Sequence, residues 1–387
     1  MSGVDAIVRT VLDLYTSFRF SPPQSQFTIL AAFVLENATT HHVISLATGS
    51  KCLPTTRFPT TGDALLDSHA EVLARRGAML WLYHELDRMN SLDSSPSQWI
   101  ELAGPTGKVR LKLHTQLYLY VSTVPCGDAS TRLLAASQDP SIAALKDSTT
   151  WATLPPGTPS RGRDNYSLSG VLRTKPGRAD SPPTTCMSCS DKIARWNVLG
   201  IQGALLSRFY EPIYLDCVII GGVDDATMRG IIAGECERAF WRRIHSISDT
   251  DLPGTYAPHT PPIRFTSIPF PHGKEVLTTA TNSSNESLCY TADISQSPEV
   301  IINGYRRGVA PKHRSRLKFM PRVCKLQLYN RYTTHEASAR DLTYFEAKQS
   351  NEEYLQAKAA LLGSAGPFHG WVTSGATYEG FTRDAAE

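Results

Sequence analysis

The stretch Met187-Ser188-Cys189-Ser190-Asp191-Lys192-Ile193-Ala194-Arg195-Trp196-Asn197 decides the fold, because it places a cysteine at the start of a predicted helix. Two upstream segments, His69-Ala70-Glu71 and Pro125-Cys126-Gly127-Asp128, supply the other residue types of a zinc site. A catalytic zinc is held by three side chains and keeps its fourth position for water. Together the three segments predict such a site, with Glu71 as a nearby acid or base.

The third zinc ligand stays open on chemistry alone. Zinc enzymes that deaminate nucleobases usually carry Pro-Cys-x-x-Cys, but the second cysteine position is Ala129 here. Cys186 and Cys189 are the nearest downstream candidates, and if both joined His69 and Cys126 the site would be closed and structural. Cysteine and histidine also occur simply as buried core residues. The joint occurrence of the motifs favours a catalytic zinc over these alternatives.

Three runs closely resemble the RNA adenosine deaminases, the family of the ADAR editing enzymes. They are Asp67-Ser68-His69-Ala70-Glu71, Val121-Ser122-Thr123-Val124-Pro125-Cys126-Gly127-Asp128 and the eleven residues from Met187 to Asn197. The resemblance implies His69, Cys126 and Cys189 as zinc ligands and Glu71 as the catalytic acid/base. It also implies an α/β fold, a cytidine-deaminase-like three-layer sandwich in which helices flank a central mixed sheet.

The run Leu172-Arg173-Thr174-Lys175-Pro176-Gly177-Arg178 is similar to the branch of the family that acts on tRNA. This implies zinc-dependent hydrolytic deamination of adenosine to inosine, at the adenosine immediately 3′ to the anticodon of alanine tRNA. Glu71 would take a proton from the zinc-bound water that attacks C6 of a flipped-out adenine. The alternatives are a deaminase of double-stranded RNA, a free nucleoside deaminase, and a non-catalytic RNA-binding module with a structural zinc.

The resemblance also implies a C-terminal helical part that encloses inositol hexakisphosphate. The residues that match this site are Arg75, Arg76, Lys192, Arg195, Trp196, Lys325, Tyr344, Lys348, Tyr354, Lys358 and Trp371. Asp67 and Lys175 match a polar relay between that pocket and the zinc site. Two departures stand out: Thr373 and Ser374 replace charged residues of the duplex editors, and Cys186 replaces a threonine and is left as a spare thiol.

Composition excludes some classes of protein. The 387 residues are 41% hydrophobic, yet they contain no apolar run near the length of about 18 that spans a membrane, and no secretory leader. Eight cysteines suggest no regular disulfide framework, and a zinc thiolate site favours a reducing compartment. We expect an intracellular protein, nuclear or cytoplasmic, with a single deaminase domain over residues 1–387 and no protein partner.

The net charge of +3 conceals a strongly basic segment. Between Val300 and His335 there is no acidic residue, and the basic ones are Arg306, Arg307, Lys312, Arg314, Arg316, Lys318, Arg322, Lys325 and Arg331. Such a run is commonly a solvated face or a localisation signal. Beside a predicted RNA deaminase it favours phosphate contact, and the first six of these residues are the candidates for RNA binding.

Alternating strand and helix signals predict α/β layers. The predicted strands are 117–123 and 214–222, and the predicted helices are 1–18, 69–89, 128–137, 225–246, 315–333 and 339–362. The first helix has Ile7, Val8, Val11, Leu12 and Tyr15 on one face. Residues 90–110, 138–170 and 246–298 are predicted to be loops or insertions.

Overall fold

A computed structural model describes residues 3–38, 40–91, 95–104, 106–136, 157–162, 166–175, 182 and 184–385. The α-helices are α1 (Gly3–Ser17), α2 (Ala70–Asn90), α3 (Thr131–Ala136), α4 (Cys189–Leu199), α5 (Gly203–Leu206), α6 (Ala226–Phe240), α7 (Lys325–His335), α8 (Tyr344–Ala347) and α9 (Glu352–Leu362). The strands are β1 (Gln26–Phe27), β2 (Leu30–Glu36), β3 (His41–Thr48), β4 (Ser50–Cys52), β5 (Asp67–His69), β6 (Ile100–Leu102), β7 (Val109–Leu111), β8 (Gln116–Val121), β9 (Ser160–Arg161), β10 (Arg173–Thr174), β11 (Cys217–Ile220), β12 (Ile263–Phe265), β13 (Asn282–Ser283), β14 (Glu286–Thr291), β15 (Glu299–Ile302) and β16 (Tyr305–Arg306).

The central sheet is mixed, with the strand order β12-β11-β8-β2-β3-β14-β15-β16. Strands β12, β11 and β8 run parallel, and every pairing from β8 through β2 to β16 is antiparallel. Parallel strands are normally covered on both faces. The burial of all four residues of β11 agrees with that expectation.

Strand β2 shows why there are three layers. Its side chains alternate between the two faces of the sheet. Leu30, Ala32 and Val34 pack with α1, in one cluster with Ile7, Val8, Val11 and Tyr15. Ala31, Phe33 and Leu35 pack on the other face, in the cluster that includes Leu73 and Trp81 of α2. The expected mixed sheet flanked by helices is confirmed, and so is the amphipathic first helix.

Three element ends position the candidate site. Strand β5 ends at His69, which is the N-cap residue of α2, so Glu71 lies in the first turn of that helix. Strand β8 ends at Val121, shortly before Cys126. Helix α4 begins at Cys189, and the Ser188 hydroxyl caps it by accepting a hydrogen bond from the Asp191 amide. Helix α2 therefore begins one residue later than the predicted helix 69–89.

Several predicted elements differ in the structure. The predicted helix 315–333 begins only at Lys325, because Pro321 cannot occupy the interior of a helix, and a 3₁₀ turn precedes it at Leu317–Phe319. The predicted helix 339–362 is split into α8 and α9, since the Asn351 side chain accepts a hydrogen bond from the Tyr354 amide and starts a new helix. The predicted loop 246–298 contains β12 and β14 of the central sheet.

Part of the sequence prediction lies outside the described residues. This applies to residue 137 at the end of the predicted helix 128–137, to 138–156 and 163–165 within the predicted insertion 138–170, and to Pro176, Gly177 and Arg178 of the tRNA-branch motif. Within the described part of the chain, no helix has both the length and the apolar character needed to cross a membrane.

Candidate functional site

The side chains of His69, Cys126 and Cys189 meet at the ends of three elements. The thiol of Cys126 is in hydrogen-bond contact with the side chains of both His69 and Cys189. The backbone amide of Cys189 also lies 3.4 Å from Cys126 Sγ. The contact with Cys189, followed by nearby Lys175 and His69, holds the pKa of Cys126 well below its usual value despite burial. A stabilised thiolate is the form in which cysteine binds metals.

His69 is oriented by Asp67. The Oδ1 atom of Asp67 lies 2.9 Å from His69 Nδ1, and it also accepts a hydrogen bond of 3.0 Å from the His69 amide. A carboxylate at Nδ1 favours the tautomer whose proton sits on that nitrogen. Nε2 is then the ring nitrogen that can bind a metal together with Cys126.

A buried lysine and a partly buried one surround the Asp67 carboxylate. Lys175 Nζ lies 2.9 Å from Asp67 Oδ2 and 3.2 Å from Cys189 Sγ, and Lys192 Nζ lies 2.5 Å from the same Oδ2. Burial alone would raise the pKa of Asp67, but the two ammonium groups hold it well below its usual range. The predicted relay residues Asp67 and Lys175 are thus in direct contact, and Lys175 reaches Cys189.

Glu71 is buried, with 3% of its surface exposed, and its Oε2 has no hydrogen-bond partner among the described residues. Burial, with a further contribution from the charge of Cys126, raises the pKa of this carboxyl. A buried polar atom without a partner costs free energy, so such atoms concentrate where a ligand completes them. Glu71 can therefore exchange a proton with a molecule held beside the three ligand candidates.

Cys186 does not join Cys189. Its Sγ lies 3.7 Å from the Leu66 carbonyl oxygen, and its thiol contacts that of Cys52. Cys52, which the sequence analysis missed, lies with its Sγ 3.6 Å from His69 Nδ1. The sequence shows only a cysteine in a short strand, and this does not indicate which side chains Cys52 contacts.

Cys52, Asp67 and His69 form a second group of ligand atoms, all within 4.8 Å of one another. This group lies on the Nδ1 side of the imidazole, where Asp67 already accepts hydrogen bonds from Lys175 and Lys192. Two adjacent ammonium groups repel a dication, and burial raises the pKa of the Cys52 thiol well above its usual value. The Cys126 side is therefore the better metal position.

A second site lies behind the first. A cavity of about 290 Å³ is lined by side chains of α2, α4 and the C-terminal helices. Every residue matched to the inositol phosphate lines it, namely Arg75, Arg76, Lys192, Arg195, Trp196, Lys325, Tyr344, Lys348, Tyr354, Lys358 and Trp371. Asp67 lines it too, so one carboxylate separates the cavity from the candidate metal ligands.

The cavity is strongly cationic. Among these lining residues are seven lysines and arginines, against Asp67 and Glu379 as the acidic ones. Burial lowers the pKa of Lys325 to about 8 and that of Arg75 to about 10, so the acids present do not balance the cations. Arg75 Nε and Arg76 Nη2 are buried without hydrogen-bond partners among the described residues. Unpaired buried cations are costly, and this cavity fits a polyanion.

Glu379 was not predicted from the sequence. Its carboxylate lies 2.7 Å from Lys325 Nζ and 2.5 Å from Lys348 Nζ, and Ser374 accepts a hydrogen bond of 3.1 Å from Lys325. Burial would raise the pKa of Glu379, but Lys348 and Lys325 hold it at about 2. Thr373 and Ser374, the departure noted above, line the cavity as neutral hydroxyl groups.

Aromatic rings order several of these cations. Lys348 Nζ lies 5.1 Å from the ring centroid of Tyr344, and the Arg195 guanidinium lies 5.2 Å from that of Trp371. Arg195 also donates a hydrogen bond of 3.1 Å to the Tyr354 hydroxyl. Cation–π contact leaves the N–H groups of a cation available to an anion.

The basic segment has two parts. Acidic residues from elsewhere pair with Arg306 (Glu299), Arg307 (Glu286), Arg322 (Glu299), Lys325 (Glu379) and Arg331 (Asp87). In contrast Lys312, Arg314, Arg316 and Lys318 have no ion pair within the described ranges. The Arg314 guanidinium lies 4.6 Å from the Tyr305 ring centroid. Tyr305 packs in the same cluster as Cys52 and Cys186, so this cationic surface neighbours the candidate site.

Comparison with known proteins agrees with this geometry. The chain is similar to tRNA-specific adenosine deaminase 1 of Schizosaccharomyces pombe, at 29% identity over 87% of this chain and 85% of that protein. It is 36% identical to tRNA-specific adenosine deaminase 1 of Drosophila melanogaster over 58% of this chain and 54% of that one. It is 32% identical to the double-stranded RNA-specific adenosine deaminase of Rattus norvegicus over 52% of this chain, but spans only 18% of that protein. The adenosine-deaminase (editase) domain family matches residues 45–374, which include every candidate ligand and, except for Glu379, every cavity residue named above, and the chain belongs to that family.

Proposed function

We propose that this protein is a zinc-dependent deaminase that converts adenosine to inosine in tRNA. The observation that carries the proposal is the buried Glu71 carboxylate, whose Oε2 has no partner in the described part of the chain and lies beside the meeting point of His69, Cys126 and Cys189. The tRNA assignment rests on similarity to tRNA-specific adenosine deaminase 1 along most of both chains. The finer target, the adenosine 3′ to the anticodon of alanine tRNA, rests on the resemblance of the run from Leu172 to Arg178 to the tRNA branch of the family.

The donor set fits zinc. One imidazole nitrogen and two thiolates are ligands that zinc accepts, and three protein ligands are typical of a catalytic rather than a structural site. Asp67 holds the His69 ring as second-shell carboxylates do around zinc. Bound zinc supplies a water whose pKa is low enough for a nucleophile to form at neutral pH.

Glu71 moves the protons of the reaction. Its carboxylate accepts the proton of the attacking water and delivers it to N1 of the adenine, and a further proton goes to the amino group that leaves C6 as ammonia. Burial, which raises the pKa of Glu71, favours the protonated form that this delivery requires. Adenosine and water are consumed, and inosine and ammonia are released.

Lys175 and Asp67 act on the site without touching substrate. Lys175 donates to Cys189 and to Asp67, and Asp67 in turn fixes His69. The ammonium group of Lys175 partly neutralises the negative charge of the two thiolates. The site therefore repels the phosphate backbone of RNA less strongly.

We further propose that the cavity holds inositol hexakisphosphate. The support is the excess of cations over acids along the cavity wall, where Arg75 and Arg76 each have a nitrogen that contacts no partner among the described residues. Mass spectrometry of the denatured purified protein tests this, and an active preparation without the compound contradicts it.

Contact with RNA is assigned to the basic segment. Lys312, Arg314, Arg316 and Lys318, which have no ion pair in the described chain, are the stronger candidates. Arg306 and Arg307 are weaker ones, since Glu299 and Glu286 neutralise them. The eight-stranded central sheet with helices on both faces supports one catalytic domain, which we propose acts inside the cell.

One assay separates the candidate functions. Inosine formation is measured with alanine tRNA, other tRNAs, an RNA duplex and free adenosine. We expect turnover of alanine tRNA above all others. Preferred turnover of the duplex would indicate a double-stranded RNA deaminase, turnover of free adenosine a nucleoside deaminase, and no turnover by a zinc-loaded protein a non-catalytic module.

A further inference from the structure

The thiols of Cys52 and Cys186 are a pair that the deamination chemistry does not use. They are in hydrogen-bond contact with each other, although the sequence separates them widely. Both lie at the Leu66 carbonyl: Cys186 Sγ is 3.7 Å from it, and the amide of Leu53, next to Cys52, donates to it at 2.9 Å. Two chain segments that pack at one carbonyl can bring two sulfurs together.

The pair joins the two halves of the candidate metal site. Strand β4, which carries Cys52, pairs with β5 so that Ser50 lies opposite His69. Cys186 immediately precedes the turn into α4, whose first residue is Cys189. A covalent bond between Cys52 and Cys186 would therefore link the segment of one candidate ligand to the segment of another.

We propose that Cys52 and Cys186 form a reversible disulfide when the protein meets hydrogen peroxide. One sulfur attacks the peroxide, so that an S–O bond forms, the O–O bond breaks and one water leaves. The second sulfur attacks the resulting sulfenic acid, so that the S–S bond forms, the S–O bond breaks and a second water leaves. The two thiols lose two electrons and two protons in total, and these reduce one peroxide to two waters.

The disulfide changes the candidate metal site. Sulfurs in hydrogen-bond contact must approach to about 2 Å to form the bond, which pulls β4 toward the segment before α4. Cys52 Sγ, now 3.6 Å from His69 Nδ1, moves with β4. Metal–ligand distances are confined to about ±0.2 Å, so a shift of the segments that carry His69 and Cys189 weakens zinc binding. On the proposed function, which this consequence presupposes, oxidation lowers zinc retention and deamination together, and a thiol reductant restores both.

Peptide mapping tests the pair directly. Full-length zinc-loaded protein is treated with about one equivalent of hydrogen peroxide, alkylated, digested without reductant and analysed by mass spectrometry. We expect a linked peptide containing Cys52 and Cys186, two hydrogens lighter than the separate peptides, which disappears with dithiothreitol. Zinc release, followed with a colorimetric chelator, is expected to rise at least threefold over the untreated protein.

Variants supply the controls. Cys186→Ser and, independently, Cys52→Ser should remove the linked peptide and diminish the loss of zinc and activity that peroxide causes, relative to each variant's own untreated value. Cys217→Ser, a buried cysteine of β11 on the opposite face of the sheet, should behave as wild type. A linked peptide of Cys126 and Cys189 in place of the predicted one overturns the proposal. The mapping does not depend on activity, so the disulfide and the deaminase function can fail separately.

Discussion

Glu71 is the residue on which the proposed chemistry depends most. Replacing it by glutamine keeps the size of the side chain and removes its ability to take up a proton. We expect Glu71→Gln to lower the rate of inosine formation by about 10²- to 10⁴-fold, the usual contribution of general acid–base catalysis. Zinc content and the thermal midpoint should stay at wild-type values.

The matched control for this prediction is Glu101→Gln. Glu101 lies in β6 and pairs with Arg110 at the surface, 3.0 Å away, so its replacement should leave turnover unchanged. Wild-type turnover in Glu71→Gln would exclude Glu71 as the acid/base.

Lys325 reports whether the cavity contains a polyanion, because the sign of its effect on stability depends on the occupant. With the cavity empty, burial lowers its pKa from 10.5 to about 8, so at pH 7 the charged lysine destabilises the fold by about 3 kcal/mol. That penalty is present below pH 8 and fades as the pH rises toward 10.5. A bound polyphosphate instead raises the pKa, and the stabilisation is present at neutral pH and lost as the pH rises through the new value.

We therefore expect Lys325→Met to lower the free energy of unfolding at pH 7, because the proposal fills the cavity. The difference from wild type should shrink above about pH 10. Urea unfolding across this pH range measures it, with the exposed Lys274→Met as the control. A variant more stable than wild type at pH 7 would mean that the cavity is empty.

At the scale of the elements, a buried carboxylate ties the turn after Cys126 to α6. Asp128 is fully buried; it pairs with Arg238 and accepts hydrogen bonds of 3.0 and 3.1 Å from the Gly170 amide. This one side chain therefore connects a candidate ligand's turn, a helix and the segment that leads to Lys175.

Removing the arginine should leave the buried carboxylate without the guanidinium that pairs with it directly. We expect Arg238→Met to cost about 3 to 5 kcal/mol in the free energy of unfolding. Arg242→Met breaks a more exposed pair with Glu237, 2.6 Å apart, and should cost about 1 kcal/mol or less. Equal losses in urea denaturation would show that Asp128 does not depend on Arg238.

The elements also show what the sequence could reveal. The candidate ligands and Glu71 could be predicted from the sequence because each lies in a short motif. The buried face of α1, formed by Ile7, Val8, Val11 and Tyr15, could be predicted because it follows helical periodicity. Glu379 and Cys52 could not be predicted, because their roles come only from contacts with residues distant in the sequence. The prediction of a helix over 315–333 was wrong for the part before Lys325, because Pro321 lies within it.

At the scale of the whole molecule, charge is distributed more unevenly than the net value of +3 suggests. One set of cations surrounds the buried cavity, and another lies on the surface beside Tyr305. The first set can hold a polyanion permanently, while the second remains open to solvent. Only the second should respond to salt on the time scale of RNA binding, since buried charges are screened much less.

The exposed cations Lys312 and Arg316 provide the test of that division. Each phosphate contact that is lost lowers the slope of log affinity against log salt by about 0.7 to 0.9. We expect the double variant Lys312→Gln, Arg316→Gln to bind tRNA more weakly at low salt, with a slope smaller by about 1.5, and to retain its inositol phosphate content. Fluorescence anisotropy with labelled tRNA at several salt concentrations measures the slope, with Lys274→Gln as the matched surface control. An unchanged slope in the double variant would exclude Lys312 and Arg316 from the RNA interface. Other cations near Tyr305 would then have to contact the phosphates, because the overall charge of the chain is too small to account for salt-sensitive binding.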